Sequence, residues 1–234
     1  MRFRALALAT AVWLLISRVA GAQGGGLPGG DNVRLTAGQA TPHGGIRNWN
    51  SGLSFGIAWE SWENRGGGPG RVAAGIAGSY SRLPFSQSAF IQDFAATNGT
   101  QATRAEASDA TMADLQVTLR VRGPALVIMP SVLLGVGYYN FHPAIITFQS
   151  RDTSGTAKMR VKSGPSGTLG LALDSPAIGR AAVFGEALYT YGWSSDSYLQ
   201  TTAGAHCTTT TCDTFKSTQT TMLRAGLRVR LGRY

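Results

Sequence analysis

The sequence predicts an all-β protein, an eight-stranded antiparallel transmembrane β-barrel, and three observations carry that expectation. Strict alternation of apolar and polar residues recurs from about residue 31 to the end of the chain, the signature of strands with two unlike faces. Charged residues make up 14% against 43% hydrophobic, with 31 glycines among 234 residues. That balance excludes a charged disordered chain and a Glu/Lys-rich coiled coil. No apolar run reaches the ~20 residues a membrane helix needs, and the mean hydropathy of -0.01 is too low for a polytopic helical membrane protein.

Residues 1–22 read as a secretory signal: Arg2 and Arg4, an apolar run from Ala5 to Ile16, and the small-residue site Ala20-Gly21-Ala22. Its removal takes the formal charge from +9 to +6, because Arg2, Arg4 and Arg18 leave with it. Residues 23–30 (QGGGLPGG) form a flexible Gly-rich N-terminal spacer. The barrel is assigned to 31–234.

Eight strands follow in order. The first, 32–39, sets Val33, Leu35 and Ala37 against Arg34 and Thr36. In 50–62, Leu53, Phe55, Ile57 and Trp59 oppose Gly52, Ser54, Gly56, Ala58 and Glu60. In 71–82, Val72, Ile76 and Tyr80 oppose Arg71, Ala73, Gly75, Ala77 and Ser79. In 111–122, Leu115, Val117, Leu119 and Val121 oppose Asp114, Gln116, Thr118, Arg120 and Arg122. The run 125–140 is nearly all apolar, but Pro130 and Ser131 interrupt it and Gly135 and Gly137 weaken any helix. It therefore reads as a strand with Val132, Leu134, Val136 and Tyr138 on one face. Strand 160–173 carries Leu169, Leu171 and Leu173 together. Strand 181–192 sets Val183, Ala187, Tyr189 and Tyr191 against Glu186 and Thr190, with Phe184 and Leu188 blurring the pattern. The last, 219–232, is the cleanest: Leu223, Ala225, Leu227, Val229 and Leu231 against Arg224, Gly226, Arg228, Arg230 and Gly232. Short connections at 63–70, 122–125 and 174–180 alternate with long polar ones at 83–110, 141–159 and 193–219, the pattern of a membrane barrel.

The two faces decide what solvent each meets. The polar faces hold glycine, alanine and serine beside arginine and glutamate, which suits a narrow interior. The apolar faces lack the scattered Lys and Glu of a solvated exterior. In lipid every backbone N–H and C=O must pair internally, so strands span only as a closed barrel. Tyr80, Tyr138, Tyr189, Tyr191 and Trp193 fall where strands enter long loops, and Trp59 falls near the opposite rim, as expected of interfacial aromatics. Inside, a charge network is expected from Glu60, Arg71, Arg120, Arg122, Arg228 and Arg230 near the short-turn side, together with Arg34. Glu186 and Arg224 should meet at mid-height, because counting back from Gly192 and forward from Gln219 brings position 186 opposite about 225. An eight-stranded interior is just wide enough to be filled by side chains.

These features resemble the small outer-membrane β-barrel proteins of Gram-negative bacteria, the OmpA/OmpX-type eight-stranded domain. The likeness covers about 31–234. It rests on the signal segment, the alternating strands, the Phe184-Gly185-Glu186-Ala187-Leu188-Tyr189 strand with its inward acid, and the C-terminal strand ending in Tyr234. The resemblance implies residence in the cell outer membrane, contact with outer-membrane lipid, and engagement of the assembly machinery through the last strand. Tyr234 is out of phase with Leu231 and Val229, which departs from the family's terminal aromatic. A monomer is expected.

The expected function is structural or surface-interacting, through extracellular loops, with a polar plugged interior. No enzyme, cofactor, metal or nucleic-acid partner is expected. Alternatives are a small channel or transport protein, and a lipid-modifying rim enzyme in which His43, Ser108 and Asp109 would supply the chemistry. Cys207 and Cys212 lie in the last loop, where export permits a disulfide; with His206 they leave a metal set incomplete.

Overall fold

The computed structural model describes residues 30–44, 46, 48–63, 71–98, 102–123, 128–151, 154–161, 163–178, 180–201 and 214–231. The signal segment, nearly all of the spacer, Cys207, Cys212 and Tyr234 lie outside the described residues. Among the described residues the chain forms eleven strands and one helix: β1 (Asp31–Gly44), β2 (Gly52–Glu63), β3 (Arg71–Leu83), α1 (Gln87–Asn98), β4 (Ala102–Ala107), β5 (Ala110–Arg122), β6 (Met129–His142), β7 (Ile145–Ser150), β8 (Ser154–Arg160), β9 (Gly164–Asp174), β10 (Ala181–Thr201) and β11 (Thr214–Leu231).

Eight strands make the barrel, in the order β1-β2-β3-β5-β6-β9-β10-β11, and β11 pairs back onto β1. All neighbours are antiparallel. Closure runs from Asp31↔Leu231 to Gly44↔Thr218, so the wall has no free edge. Closure meets the need of a strand in hydrocarbon to pair every backbone group. Each wall strand alternates as its sequence alternates. On β11, Leu223 and Leu227 are exposed while Met222 and Arg228 are buried.

The long connections depart from the expectation of plain polar loops. Between β3 and β5 the chain forms α1 and β4; between β6 and β9 it forms the β7–β8 hairpin. β10 continues past Gly192 to Thr201, and β11 starts at Thr214. Beyond the barrel, β10 pairs with β8, β8 with β7 and β7 with β4, so the wall extends into a second sheet on the loop side. β1 also runs further than expected, so Pro42 and His43 are strand residues rather than loop residues; the chain leaves it at Gly44, whose φ of 63° suits glycine.

α1 explains itself locally. Ser86 stands at the N-cap position, and its carbonyl accepts the first helical bond from the Phe90 N–H at 3.1 Å. Phe90 and Phe94, one turn apart, face the same way and pack on Phe148 of β7, with ring centroids 6.2 and 4.6 Å away.

Candidate functional site

The lumen holds the chemistry, and its sequence origin is the inward set of each strand. From the short-turn side, four arginines and three carboxylates form one network. Arg34 on β1 donates from Nη1 to Asp174 Oδ1 at 2.9 Å, and its Nε lies 3.8 Å from Glu60 Oε1. Arg120 on β5 donates from Nε to Glu60 Oε1 at 2.7 Å and from Nη1 to Ser131 Oγ at 3.1 Å. Its Nη2 reaches Glu186 Oε2 at 3.4 Å. Arg224 on β11 holds Glu186 Oε1 through Nη2 at 2.9 Å and Nε at 3.1 Å. Arg228 stands 3.4 Å from Asp174 Oδ1. Arg34 is 1% exposed, Glu60 1% and Asp174 0%. Burial this deep is tolerable because each carboxylate faces at least two guanidinium groups.

Two aromatic faces complete the network. Arg34 lies over the Phe184 ring, 3.5 Å from its centroid, and Arg122 over Trp62 at 4.0 Å. Phe184 is 4% exposed and Leu188 is buried too. The apparent blur in the β10 alternation is therefore a pair of apolar residues facing inward beside Glu186.

Above the ions lies a tier of hydrogen bonds among Ser, Thr and Gln side chains and the Asp114 carboxylate. Gln116 donates to Thr168 Oγ1 at 2.7 Å, which lies 2.8 Å from Thr190 Oγ1. Ser79 donates to Asp114 at 2.9 Å, and Ser81 to Ser54 at 3.1 Å. Above that tier, beside the buried hydroxyls of Ser166, Thr218 and Thr220, apolar residues dominate the interior. Ala40, Leu83, Ala110, Met112, Tyr139, Phe141 and Met222 join one buried cluster with Trp49, Phe90, Phe94 and Phe148 of the loop side. Trp49 meets Phe141 edge-on at 5.5 Å and Phe85 at 6.4 Å. The lumen is thus charged at the short-turn end, polar in the middle and closed by an aromatic cap at the loop end.

Of the expected network, Glu60, Arg120, Arg122, Glu186, Arg224 and Arg228 lie inside, and Glu186 stands directly opposite Arg224 in the β10–β11 register. Arg230 is corrected: it lies at the end of the barrel, exposed, and does not enter the ion network among the described residues. It pairs with Asn32 at the rim of the β1–β11 seam, one step from the end of the wall, where its side chain is exposed. Arg71 is placed by backbone register opposite Arg122. Asp174, assigned by sequence to a turn, is the last inward residue of β9 and the most buried acid; continuing the Thr168, Gly170, Ala172 alternation by one step would have found it. The three rim residues weighed for catalysis are engaged apart. His43 Nε2 lies 3.0 Å from Thr221 Oγ1, Asp109 binds Arg82 at 2.5 Å, and Ser108 is exposed.

Outside, an apolar belt runs round the wall. Leu35, Ile57, Ile76, Leu115, Leu134, Leu171, Val183 and Leu227 are exposed, with Tyr80, Tyr138, Tyr189 and Trp193 exposed toward the loop side. So large an exposed apolar surface is incompatible with water and fits lipid. The chain is a small closed β-barrel of eight antiparallel strands with a lipid-facing belt.

No protein-family model matches the chain, and no curated relative does. Similar solved structures include Neisserial surface protein A (11% identity, 86% of this chain, 97% of that one, TM-score 0.48) and OprG from Pseudomonas aeruginosa (11%, 89% and 99%, 0.48). Ail, the attachment invasion locus protein of Yersinia pestis, in complex with a heparin analogue, is a third (14%, 86% and 99%, 0.41). At such identities and TM-scores these likenesses say nothing of ligand or activity, and the barrel assignment stands on closure and belt.

Proposed function

We propose that the chain is a non-conducting outer-membrane barrel whose loop-side sheet and helix serve as a surface-interaction platform, and that it catalyses no reaction. The observation that supports this reading is the aromatic cap: the same residues that close the lumen, Trp49, Phe90, Phe141 and Phe148, also hold α1, β4 and β7 together above it. A pore needs a continuous wet path, whereas here an ion cluster below and an apolar core above fill the route. In this reading lipid surrounds the belt, the last strand engages the assembly machinery, and the barrel acts as a monomer.

Reconstitution into planar bilayers tests the central part. The expectation is no unitary conductance at any voltage that leaves the bilayer intact. Stable, single-channel steps would replace this reading with the channel one. A rim-enzyme role would require His43 for lipid modification, so His43→Ala should leave the lipid profile of the expressing membrane unchanged.

A further inference from the structure

Between the ion network and the hydroxyl tier lies a small cavity of about 30 Å³, lined among others by Arg34, Thr36, Gly56, Asp114, Glu186 and Arg224. Its carboxylates are already engaged. Asp114 Oδ2 accepts from Ser79, and both oxygens of Glu186 face arginines. Several buried polar atoms of the lining residues make no hydrogen bond: Thr36 Oγ1, Arg224 Nη1, and Arg34 Nε and Nη2, the last two lying 3.8 and 4.0 Å from Glu60 Oε1 and Glu186 Oε2. Every one of these can donate a hydrogen bond, and the guanidinium nitrogens can do nothing else. Gly56 makes room for them, since Thr36 Oγ1 and Arg224 Nη1 lie 2.5 and 2.7 Å from where a Cβ on that residue would fall.

Charge points the same way. Among the described lumen residues, Arg34, Arg120, Arg122, Arg224 and Arg228 outnumber the carboxylates Glu60, Asp114, Asp174 and Glu186. A buried cation excess is costly unless it is paired. The void is small, with room for a few water-sized groups, which favours a compact ion over an extended organic anion.

We propose that this cavity binds a single halide ion, chloride in ordinary media, held by Thr36 Oγ1, Arg224 Nη1 and Arg34 Nη2. The ion supplies an acceptor to these donors and offsets the excess of one arginine over carboxylates among the described lumen residues. The site is a binding site inside the wall rather than a passage, and the aromatic cap stands between it and the loop side.

The test is anomalous diffraction at the bromine edge from crystals of the full chain, refolded in detergent and grown in bromide. The expected result is a peak within hydrogen-bonding distance of Thr36 Oγ1 and Arg224 Nη1. Ordered water without anomalous signal there, or bromide at the surface alone, overturns the proposal. A solution arm uses Thr36→Val, which keeps the shape and removes the hydroxyl. Replacing chloride by gluconate at constant ionic strength should lower the unfolding midpoint of the native chain and leave that of the variant unmoved; equal responses in both overturn the proposal. If Thr36→Val does not refold, the anomalous map of the native protein decides alone.

Discussion

Glu186 shows how much a single inward side chain can hold. Its two oxygens face Arg224, Arg120 and Arg34, whereas Arg224 faces Glu186. Breaking a buried ion pair strands the survivor and costs about 3–5 kcal/mol. Glu186→Ala, which strands Arg224 and takes one partner from Arg120 and Arg34, should therefore lower resistance to urea unfolding more than Arg224→Ala. The double variant should be less destabilised than the sum of the two, and a double-mutant cycle measures the difference. Additive losses would mean that the pair does not interact. Gly56→Ala should resemble Arg224→Ala, because its Cβ would displace the end of that guanidinium from Glu186. At this scale the sequence was informative wherever alternation was clean. Glu186 and Arg224 could be matched by counting residues back from a hairpin. Asp174 is in phase with Thr168, Gly170 and Ala172, but the Ser-Pro pair after it reads as a turn that already includes it and hides the last step of that alternation. Phe184 and Leu188 looked like noise, since alternation alone does not reveal that an arginine needs an aromatic face.

The strands and the loop elements answer to different physics. A wall strand is dictated by its two solvents, so its pattern is legible: β11 has a leucine face toward lipid and an arginine face toward the lumen. Leu227→Arg should hinder assembly and cost roughly 2–4 kcal/mol near the bilayer midplane. Arg228→Leu should insert normally, the comparison being made by the fraction folded into liposomes. The helix and strands β4, β7 and β8 were not legible. They are short, rich in Thr, Ala, Ser and Gln, and stand on tertiary contacts: Phe90 and Phe94 have meaning only against Phe148. β4 also shows how its free edge is protected. It has six residues, a bulge between Ala102 and Arg104, and an Arg104–Glu106 ion pair exposed on it, all features that discourage pairing with another chain. Phe148→Ala should loosen this platform by about 3–5 kcal/mol. Limited proteolysis should then cut the loop side faster while the heat-dependent gel shift of the barrel persists.

For the whole molecule, closure follows from a sum of local choices. Each strand alternates, each short turn reverses the chain, and β11 returns to β1, leaving lipid to meet only side chains and the lumen to meet only its own charges. The eight-strand count and the identity of the two faces were legible because they repeat along the chain. The cap was not, because it is assembled from single residues far apart in the chain, such as Trp49 of the β1–β2 connection and Phe141 at the end of β6. Cys207 and Cys212 remain an expectation for the last loop; intact-mass measurement of the exported chain under non-reducing conditions should read two hydrogens fewer than the dithiol.

The central claim, a closed wall with lipid on one face and a filled lumen on the other, is tested most directly by a spin-label scan along β11. Single cysteines at positions 222–231, in a Cys207→Ser, Cys212→Ser background, would be labelled and reconstituted in liposomes. The account predicts period-two access to dissolved oxygen, high at 223, 225, 227, 229 and 231 and low at 222, 224, 226 and 228, with little access for a water-soluble relaxation agent at the buried positions. Uniform access along the strand, or high aqueous access at 224 and 228, would contradict it.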